Sequence, residues 1–577
     1  MLLISWNVAG LSTTLTRIDS DYKSESIATS DDLNTSTSKR SRSHAFSYFL
    51  RRHGDPDIVC IQEHKIPLAH LSNRSETLGC SMVAGYESFW ACCVDKSKKG
   101  FNGVVTYAKY GTVRSANSRP LGSDDLDDQG RVVMTDHGSF VVFNVYAPAS
   151  CGMSLSYKMK FLNALRRAMA TQRRRGKKVI LVGDLNISHS GIDVHWKFRS
   201  IRVNDIIQEC KADATMGDVS ENLPEWKMQL QQHWETIQSA LSSIEAIPVT
   251  TKNVTTGSTH EKFRARVTVG NPGSERKMFL GDYETSPEYA IGRFSFDESN
   301  YFDHDLSKDC ISMEANVVSL NTLAELMAKI VKVEWDTSTL RLISNTEGLK
   351  KSSPIVRWLS DVLKDDGMVD TFRHVFPGAE GRYTCWNQQT NRRFDNMGTR
   401  IDYTITDTSL MGYIDNDGSQ RLRCCNYPHA ETTFCSEEAA LHACTASGLF
   451  QGASFEGGGI ATATKRALDT QFGNAHTGII YTPPQYSDHV AVSLLLNEEF
   501  NSLISSSLVL NGKDTKQAQP HKTQKSISSF FMANKSPSGK CSTAITNTPS
   551  SKRKLTGNVE KSNKKRGTIM CHFSKKK

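Results

Sequence analysis

Four short apolar runs, each of strand length and each closed by polar side chains, constrain the fold more than any other feature of this chain. They are Leu2–Ser5, Ile58–Ile61, Phe140–Val145 and Val179–Val182. Runs of this kind read as buried strands, and the polar residues that end them lie where a sandwich or an α/β sheet places its working groups. Residues 101–107, 131–136 and 139–146 are also β-like. Residues 44–52 have the pattern of a short amphipathic helix leading into Asp57–Gln62. Leu155, Met159, Leu162, Leu165 and Met169 recur at helical spacing just before the strand Val179–Val182. Strands separated by helices and hairpins predict a mixed α/β sandwich.

The remaining stretches read as insertions. Residues 19–43, rich in Ser, Thr and Asp, predict a loop after the first strand. Residues 206–352 lack the polar strand-end segments and read as a large insertion, with a helix around Pro224–Ala246 and a polar stretch at 250–277. Residues 414–476 read as another. Its Cys424, Cys425, Cys435 and Cys444, with His429 and His442, lack a CxxC pair, so ordinary thiols are expected rather than a zinc site. A catalytic domain over 1–497 is expected, followed by a disordered basic tail over 498–577.

The chain has 577 residues and a net charge of +9. Residues 501–577 hold sixteen Lys/Arg against two acidic residues, so the first 500 carry −5. Basicity belongs to the tail, where it suits nucleic acid or nuclear import. Fourteen cysteines without framework spacing argue for a reducing compartment. Met1–Asn7 reads as a first strand rather than a signal peptide, and no apolar run approaches the roughly 18–20 residues of a membrane span.

Six segments carry the chemistry: Ser5-Trp6-Asn7, Gln62-Glu63-His64-Lys65, Asn144 to Pro148, Gly183-Asp184-Leu185-Asn186, Arg400-Ile401-Asp402-Tyr403 and Ser487-Asp488-His489. Taken singly, each has an ordinary explanation: an Asn after a strand forms turns, and a lone Tyr packs. Together they are the parts of a phosphodiesterase site. Hard oxygen ligands such as Glu63 and Asp488 suit Mg²⁺ or Mn²⁺. Asp184 and Asn186, two apart in an extended chain, face the same way, one for water and one for a phosphate oxygen. Asp402 and His489 form a carboxylate–imidazole pair that favours the imidazolium, and Tyr146 can donate to a phosphate oxygen.

These segments resemble the endonuclease/exonuclease/phosphatase superfamily. Within it, Gln62-Glu63-His64-Lys65, Gly130-Arg131 and Gly183 to Asp193 are similar to the exonuclease III-type abasic-site endonucleases. Lys158-Met159-Lys160-Phe161, Asp370-Thr371-Phe372-Arg373 and Tyr383-Thr384-Cys385-Trp386 are similar to the second eukaryotic type. The resemblance covers roughly 1–205 and 355–497. It implies an α/β fold of the four-layered kind, two mixed sheets flanked by helices. It implies Asn7, Glu63 and Asp488 around a metal ion, Mg²⁺ or Mn²⁺, with Asp184, Asn186 and His489 also within its reach. Tyr146, Asp184, Asn186 and His489 would surround the scissile phosphate, Asp402 would orient His489, and Trp386 and Met397 would flank the substrate pocket. Ala9 stands where many relatives carry Asp or Asn, and His64 replaces a commoner Thr.

The implied activity is base-excision repair in the nucleus by a monomer: incision 5′ of abasic sites, and 3′–5′ exonuclease and phosphodiesterase cleaning of damaged DNA ends. An RNA deadenylase or another phosphodiesterase of the superfamily is the alternative. In the tail, Gln524, Ile527, Phe530 and Phe531 have the spacing of a box that binds the sliding clamp, proliferating-cell nuclear antigen. Lys552-Arg553 and Lys564-Lys565-Arg566 match a bipartite nuclear import signal over 552–566.

Overall fold

The computed structural model describes residues 1–29, 42–71, 83–94, 100–149, 155–215, 223–252, 259–270, 273–283, 317–346, 354–379, 381–388, 392–393, 396–415 and 477–500. Two six-stranded mixed sheets form its centre. The first has the order β18-β19-β1-β2-β4-β3, from Gly478–Ile480, Ala491–Leu495, Leu2–Asn7, Ile58–Gln62, Val104–Lys109 and Tyr86–Ala91. The second has the order β14-β17-β8-β7-β6-β5, from Met368–Asp370, Asp402–Asp407, Lys178–Asp184, Phe140–Tyr146, Val132–Asp136 and Ser115–Asn117.

Period-two alternation within the unbroken apolar strands builds the layers. Leu3, Ile58, Cys60, Phe140, Val142, Ile180, Val182 and Leu494 share the core between the sheets. Their neighbours turn outward: Ile4, Trp6, Val59 and Ile61 pack with Leu11, Leu15, Phe46 and Phe49 of helices Leu11–Thr29 and Arg42–Arg52. On the other side Val141, Phe143, Val179 and Leu181 meet Met159, Leu162, Leu165 and Trp358 of helices Leu155–Arg174 and Pro354–Lys364. Each strand is covered on both faces, which is why its sequence lacks polar alternation. The result is the expected α/β sandwich in four layers.

The last strand of the sandwich closes against the first. Leu2 and Leu495 are antiparallel partners in β1 and β19, while β1 and β2 are parallel with Leu3 opposite Ile58. In the second sheet β8 is parallel to β7 and antiparallel to β17.

Three expectations are corrected. The segment from Asp19 to Thr29 continues the helix that starts at Leu11, so the expected loop begins later than residue 19. The polar stretch at 250–277 contributes to a three-stranded antiparallel sheet, β10 (Glu245–Lys252), β11 (Thr259–Val269) and β12 (Arg276–Tyr283). Its polar residues alternate with buried Ala265, Val267 and Leu280, a half-buried pattern that composition alone hides. The helix expected around 224–246 is two helices, Glu225–Gln232 and Trp234–Ser242, joined at His233. These elements share a core of their own with Ile201, Ile206, Leu323 and Leu326, and β9 (Ser200–Arg202) pairs with β13 (Val317–Ser319). The Cys/His cluster of 424–444, the clamp box of 524–531 and the import signal of 552–566 lie outside the described residues.

Candidate active site

Strand register brings the six segments together. Tyr146 is the partner of Asp184 across β7 and β8, and Asp184 is the partner of Asp402 across β8 and β17. Three functional side chains therefore stand in one row at the end of the second sheet. Asn7 and Gln62 end the neighbouring strands β1 and β2 of the first sheet. Gln62 Nε2 donates to Ser5 Oγ at 3.0 Å and to Asn144 Oδ1 at 2.7 Å, and Asn144 Nδ2 donates to the Val105 carbonyl at 2.9 Å. All three are buried. This polar bridge fixes one sheet against the other, and buried polar groups of this kind are costly unless all are satisfied.

Asp184 is the hub. Its Oδ2 accepts from Asn7 Nδ2 at 2.9 Å and Asn186 Nδ2 at 3.2 Å, its Oδ1 accepts from the Asn186 N–H at 2.8 Å, and His489 Nε2 lies 3.9 Å away. Burial and the adjacent Asp402 carboxylate push Asp184 up to about 7, against the pull of His489. His489 Nδ1 meets Asp402 Oδ2 at 2.8 Å. Burial disfavours the imidazolium, yet Asp402 outweighs it and holds His489 well above its ordinary value.

Glu63 sits beside this hub. It accepts from Asn7 Nδ2 at 3.1 Å and pairs with Lys65 Nζ at 2.7 Å. Burial opposes its charge, but Lys65 prevails and holds the carboxyl below its usual range. Tyr146 carries the Arg131 guanidinium 4.9 Å above its ring. Burial first, then the Glu63 carboxylate, raise its hydroxyl well above 10, so it remains a neutral donor. Ala9, Glu63, Lys65 and Asn186 all adopt φ near +50°. Side chains other than glycine visit this region at a cost, and such strain gathers where geometry must be held for chemistry.

Asn7 lies between the Glu63 and Asp184 carboxylates. Its amide nitrogen faces both carboxylates and its Oδ1 accepts from the Ala9 N–H at 3.0 Å. Because both carboxylates are acceptors, Asn7 serves them as a donor that sets their orientation. Asp488, with Trp386, Arg17, Arg393 and Ser487, lines a cavity of about 320 Å³. Trp386 is buried, donates through Nε1 to Asn396 Oδ1 at 3.1 Å, and lies under Arg393. Met397 is not among the lining residues; its sulfur receives Arg392 at 3.3 Å.

Several site residues escape sequence reasoning. Thr384 Oγ1 accepts from the N–H groups of Ile401 and Asp402 at 3.0 and 3.1 Å, fixing the start of β17. Buried Lys158 donates from Nζ to the Asn186 carbonyl at 2.7 Å. Cys385 hydrogen-bonds His489 and is pushed by burial up to about 11, so it stays a thiol. His64, pushed by burial down to about 3, is neutral and structural: Nδ1 accepts from the Ile66 N–H at 2.9 Å and Nε2 donates to the Ala91 carbonyl at 3.3 Å. Beneath the site, Asp193 accepts from Arg400 Nε at 2.7 Å and Arg373 at 2.5 Å, and Arg400 also reaches Asp370 at 2.6 Å. The Tyr403 hydroxyl then donates to the Ile187 carbonyl at 2.7 Å. This buried network ties the loop after Asp184 to the start of β17. Only the residue types gave a hint of it; the pairing of Asp193 with Arg400 spans 207 positions.

A divalent cation fits the donors present. Glu63 is held ionised, and the nearest carboxylate oxygens of Asp184 and Asp402 lie within 4.8 Å of one another; His489, as an imidazolium, offers no lone pair. Asp402 Oδ1 is buried with no hydrogen-bond partner. Oxygen-rich sets of this kind suit hard cations.

Two mixed sheets in a four-layered sandwich gather amides, carboxylates and one imidazolium at their strand ends. Residues 4–228 match the model of the Endonuclease/Exonuclease/phosphatase family. It is 28% identical over 196 residues to an exodeoxyribonuclease of Bacillus subtilis (strain 168), covering 34% of this chain and 62% of the relative. It is 28% identical over 179 residues to the human DNA-(apurinic or apyrimidinic site) endonuclease 2, covering 25% and 33%. The chain thus spans less than two thirds of each of these relatives. The crystal structure of the Xenopus laevis APE2 catalytic domain aligns over 86% of this chain and 91% of that one, at 15% identity and a TM-score of 0.39.

Proposed function

We propose that this protein is a metal-dependent DNA-repair nuclease. It would incise 5′ of abasic sites and clean damaged 3′ ends by exonuclease and phosphodiesterase action. The observation that carries the reading is the Asp184 hub: a buried carboxylate near neutrality, held by Asn7 and Asn186, beside an imidazolium held by Asp402. Asp184 takes a proton from a water whose oxygen attacks phosphorus. The bond from phosphorus to the 3′ oxygen of the leaving strand then breaks. Tyr146, Asn186 and His489 donate to the phosphate oxygens as charge grows there. Mg²⁺ or Mn²⁺, held by Glu63 and Asp488, would offset phosphate charge when bound. The names of the relatives, an exodeoxyribonuclease and an abasic-site endonuclease, support this reading.

Nuclear localisation and tethering to the sliding clamp belong to the same proposal. They rest on the sequence alone, on Gln524, Ile527, Phe530 and Phe531 and on the basic pairs of 552–566. Among the described residues no helix is long and apolar enough to cross a membrane.

The test compares two labelled duplexes, one with an internal abasic-site analogue and one with a recessed, mismatched 3′ end, in Mg²⁺ and then Mn²⁺. Cleavage that disappears in Asp184→Asn supports the proposal, and faster trimming than incision makes end cleaning the main activity. Cleavage of neither duplex, with Asp184-dependent hydrolysis of a poly(A) strand, replaces it with the RNA reading.

A further inference from the structure

An exposed aromatic, Phe198, stands on the segment that follows the loop after Asp184. Phe198 is 44% exposed. It closes the short 3₁₀ helix Trp196–Phe198, which follows the loop after Asp184. The Arg392 guanidinium lies 6.0 Å over its ring, and Lys197 stands 5.4 Å over the ring of Trp196. The His195 ring centroid lies 5.5, 5.9 and 6.3 Å from those of Trp196, Phe198 and Tyr383. Burial drives His195 down to about 3, and each charged group acting on it, Lys197, Arg199, Arg341 and Arg392, is a cation.

This surface is wired to the catalytic row. The His195 N–H donates to the Gly398 carbonyl at 3.0 Å, and Val194 bridges Thr399. Thr399 pairs with Cys385 across the short strands β15 (Cys385–Trp386) and β16 (Gly398–Thr399), and Cys385 bridges His489. Arg392 reaches the Met397 sulfur and accepts its N–H through the backbone carbonyl at 2.8 Å.

The geometry points to a stacking shelf: Phe198, with Arg392 and Lys197 for the adjoining phosphates, receives an unpaired nucleobase of the nucleic-acid strand that enters the site. This rests on the nuclease reading above. An aromatic face ringed by cations matches the two faces of a nucleotide, one apolar and one anionic. The base must be unpaired, because pairing and stacking hold a terminal base in the duplex, and only an unpaired one is free to swing onto the ring. A frayed or mispaired 3′ terminus presents such a face. The shelf therefore sorts damaged or mismatched ends from sound ones.

The experiment uses the full chain, with Phe198→Ala, Phe198→Trp and Arg392→Gln. Two duplexes differ only in whether the 3′-terminal nucleotide is paired, and a third carries 2-aminopurine at the unpaired position. Phe198→Ala is expected to lower kcat/KM on the unpaired end roughly tenfold, the loss of one base–aromatic stack. The paired end should stay within about twofold, and Phe198→Trp should restore selectivity. Fluorescence of the aminopurine should be quenched by the parent and by Asp184→Asn, and not by Phe198→Ala. Equal effects on both ends, or quenching that survives Phe198→Ala, overturn the shelf. The quenching measurement needs no turnover, so failure of the nuclease reading would show separately, as absent cleavage with quenching intact.

Discussion

Asp193→Asn should be among the most destabilising single-atom changes available in this protein. The carboxylate is fully buried and accepts from Arg400 Nε at 2.7 Å, Arg400 Nη2 at 3.3 Å, Arg373 Nη2 at 2.5 Å, the Ser190 N–H at 2.9 Å and Ser190 Oγ at 3.1 Å. The amide keeps the shape but removes the charge and turns one acceptor into a donor facing N–H groups. Arg400, 1% exposed, is then left with Asp370 alone. Breaking a buried pair by removing one partner costs about 3–5 kcal/mol, against a typical total of roughly 5–15 kcal/mol. Equilibrium unfolding in urea, followed by circular dichroism, measures the difference, and a cycle with Arg373→Met separates that arginine's share. Because Tyr403, under Arg400, anchors the Ile187 carbonyl, activity should fall even well below the unfolding transition. A loss under about 1 kcal/mol would refute the reasoning and make the network a set of solvated charges.

Three further outcomes follow from the site. Asp402→Asn should lower kcat by roughly 10²–10⁴-fold, since the imidazolium loses its partner; rates at saturating substrate check it, and a change under fivefold would sink the pairing role. Activity should rise with pH around 7, the value to which Asp184 is raised, because the base works as its carboxylate. The same shift makes Asp184 favour the folded state below the unfolded carboxyl value and lose that contribution as pH climbs through about 7, so unfolding at pH 5 and 8 in Asp184→Asn should show a flatter pH dependence than the parent. Gly183→Ala should abolish activity and destabilise: φ is +124° there, and an added Cβ would stand 2.0 Å from the Val145 carbonyl oxygen, next to the catalytic row; a well-folded, active variant would overturn that close approach.

The sandwich was legible because its strands are unbroken apolar runs, and burial on both faces leaves that mark in any sequence. Tyr146 and Asp184 were legible as candidates because they close apolar strands, where a polar residue breaks the run; Asp402, which opens β17, was legible only as a partner for His489. What stayed hidden depends on pairing across long separations. Nothing local in Thr384, Lys158 or Arg400 says that they anchor Asp402, Asn186 and Asp193. The resemblance implied Asn7 near the metal; its hydrogen bonds to two carboxylates are a property of the assembled strand ends. The β10–β12 sheet was missed because its outward polar residues dominate the composition, and Asp19–Thr29 because Ser and Asp lower helix propensity without forbidding a helix.

The pairing of β1 with β19 has a consequence for how the molecule comes into being. Asn7 leaves the ribosome first, while Asp488 and His489 emerge almost five hundred residues later. The strand that follows them, β19, locks against Leu2–Ser5 through Val492 to Leu495. A nascent or truncated chain that stops short of β19 therefore holds Asp184 without His489, and the first sheet without the strand that closes it. The row of Tyr146, Asp184 and Asp402 stays without its imidazole until β19 is in place.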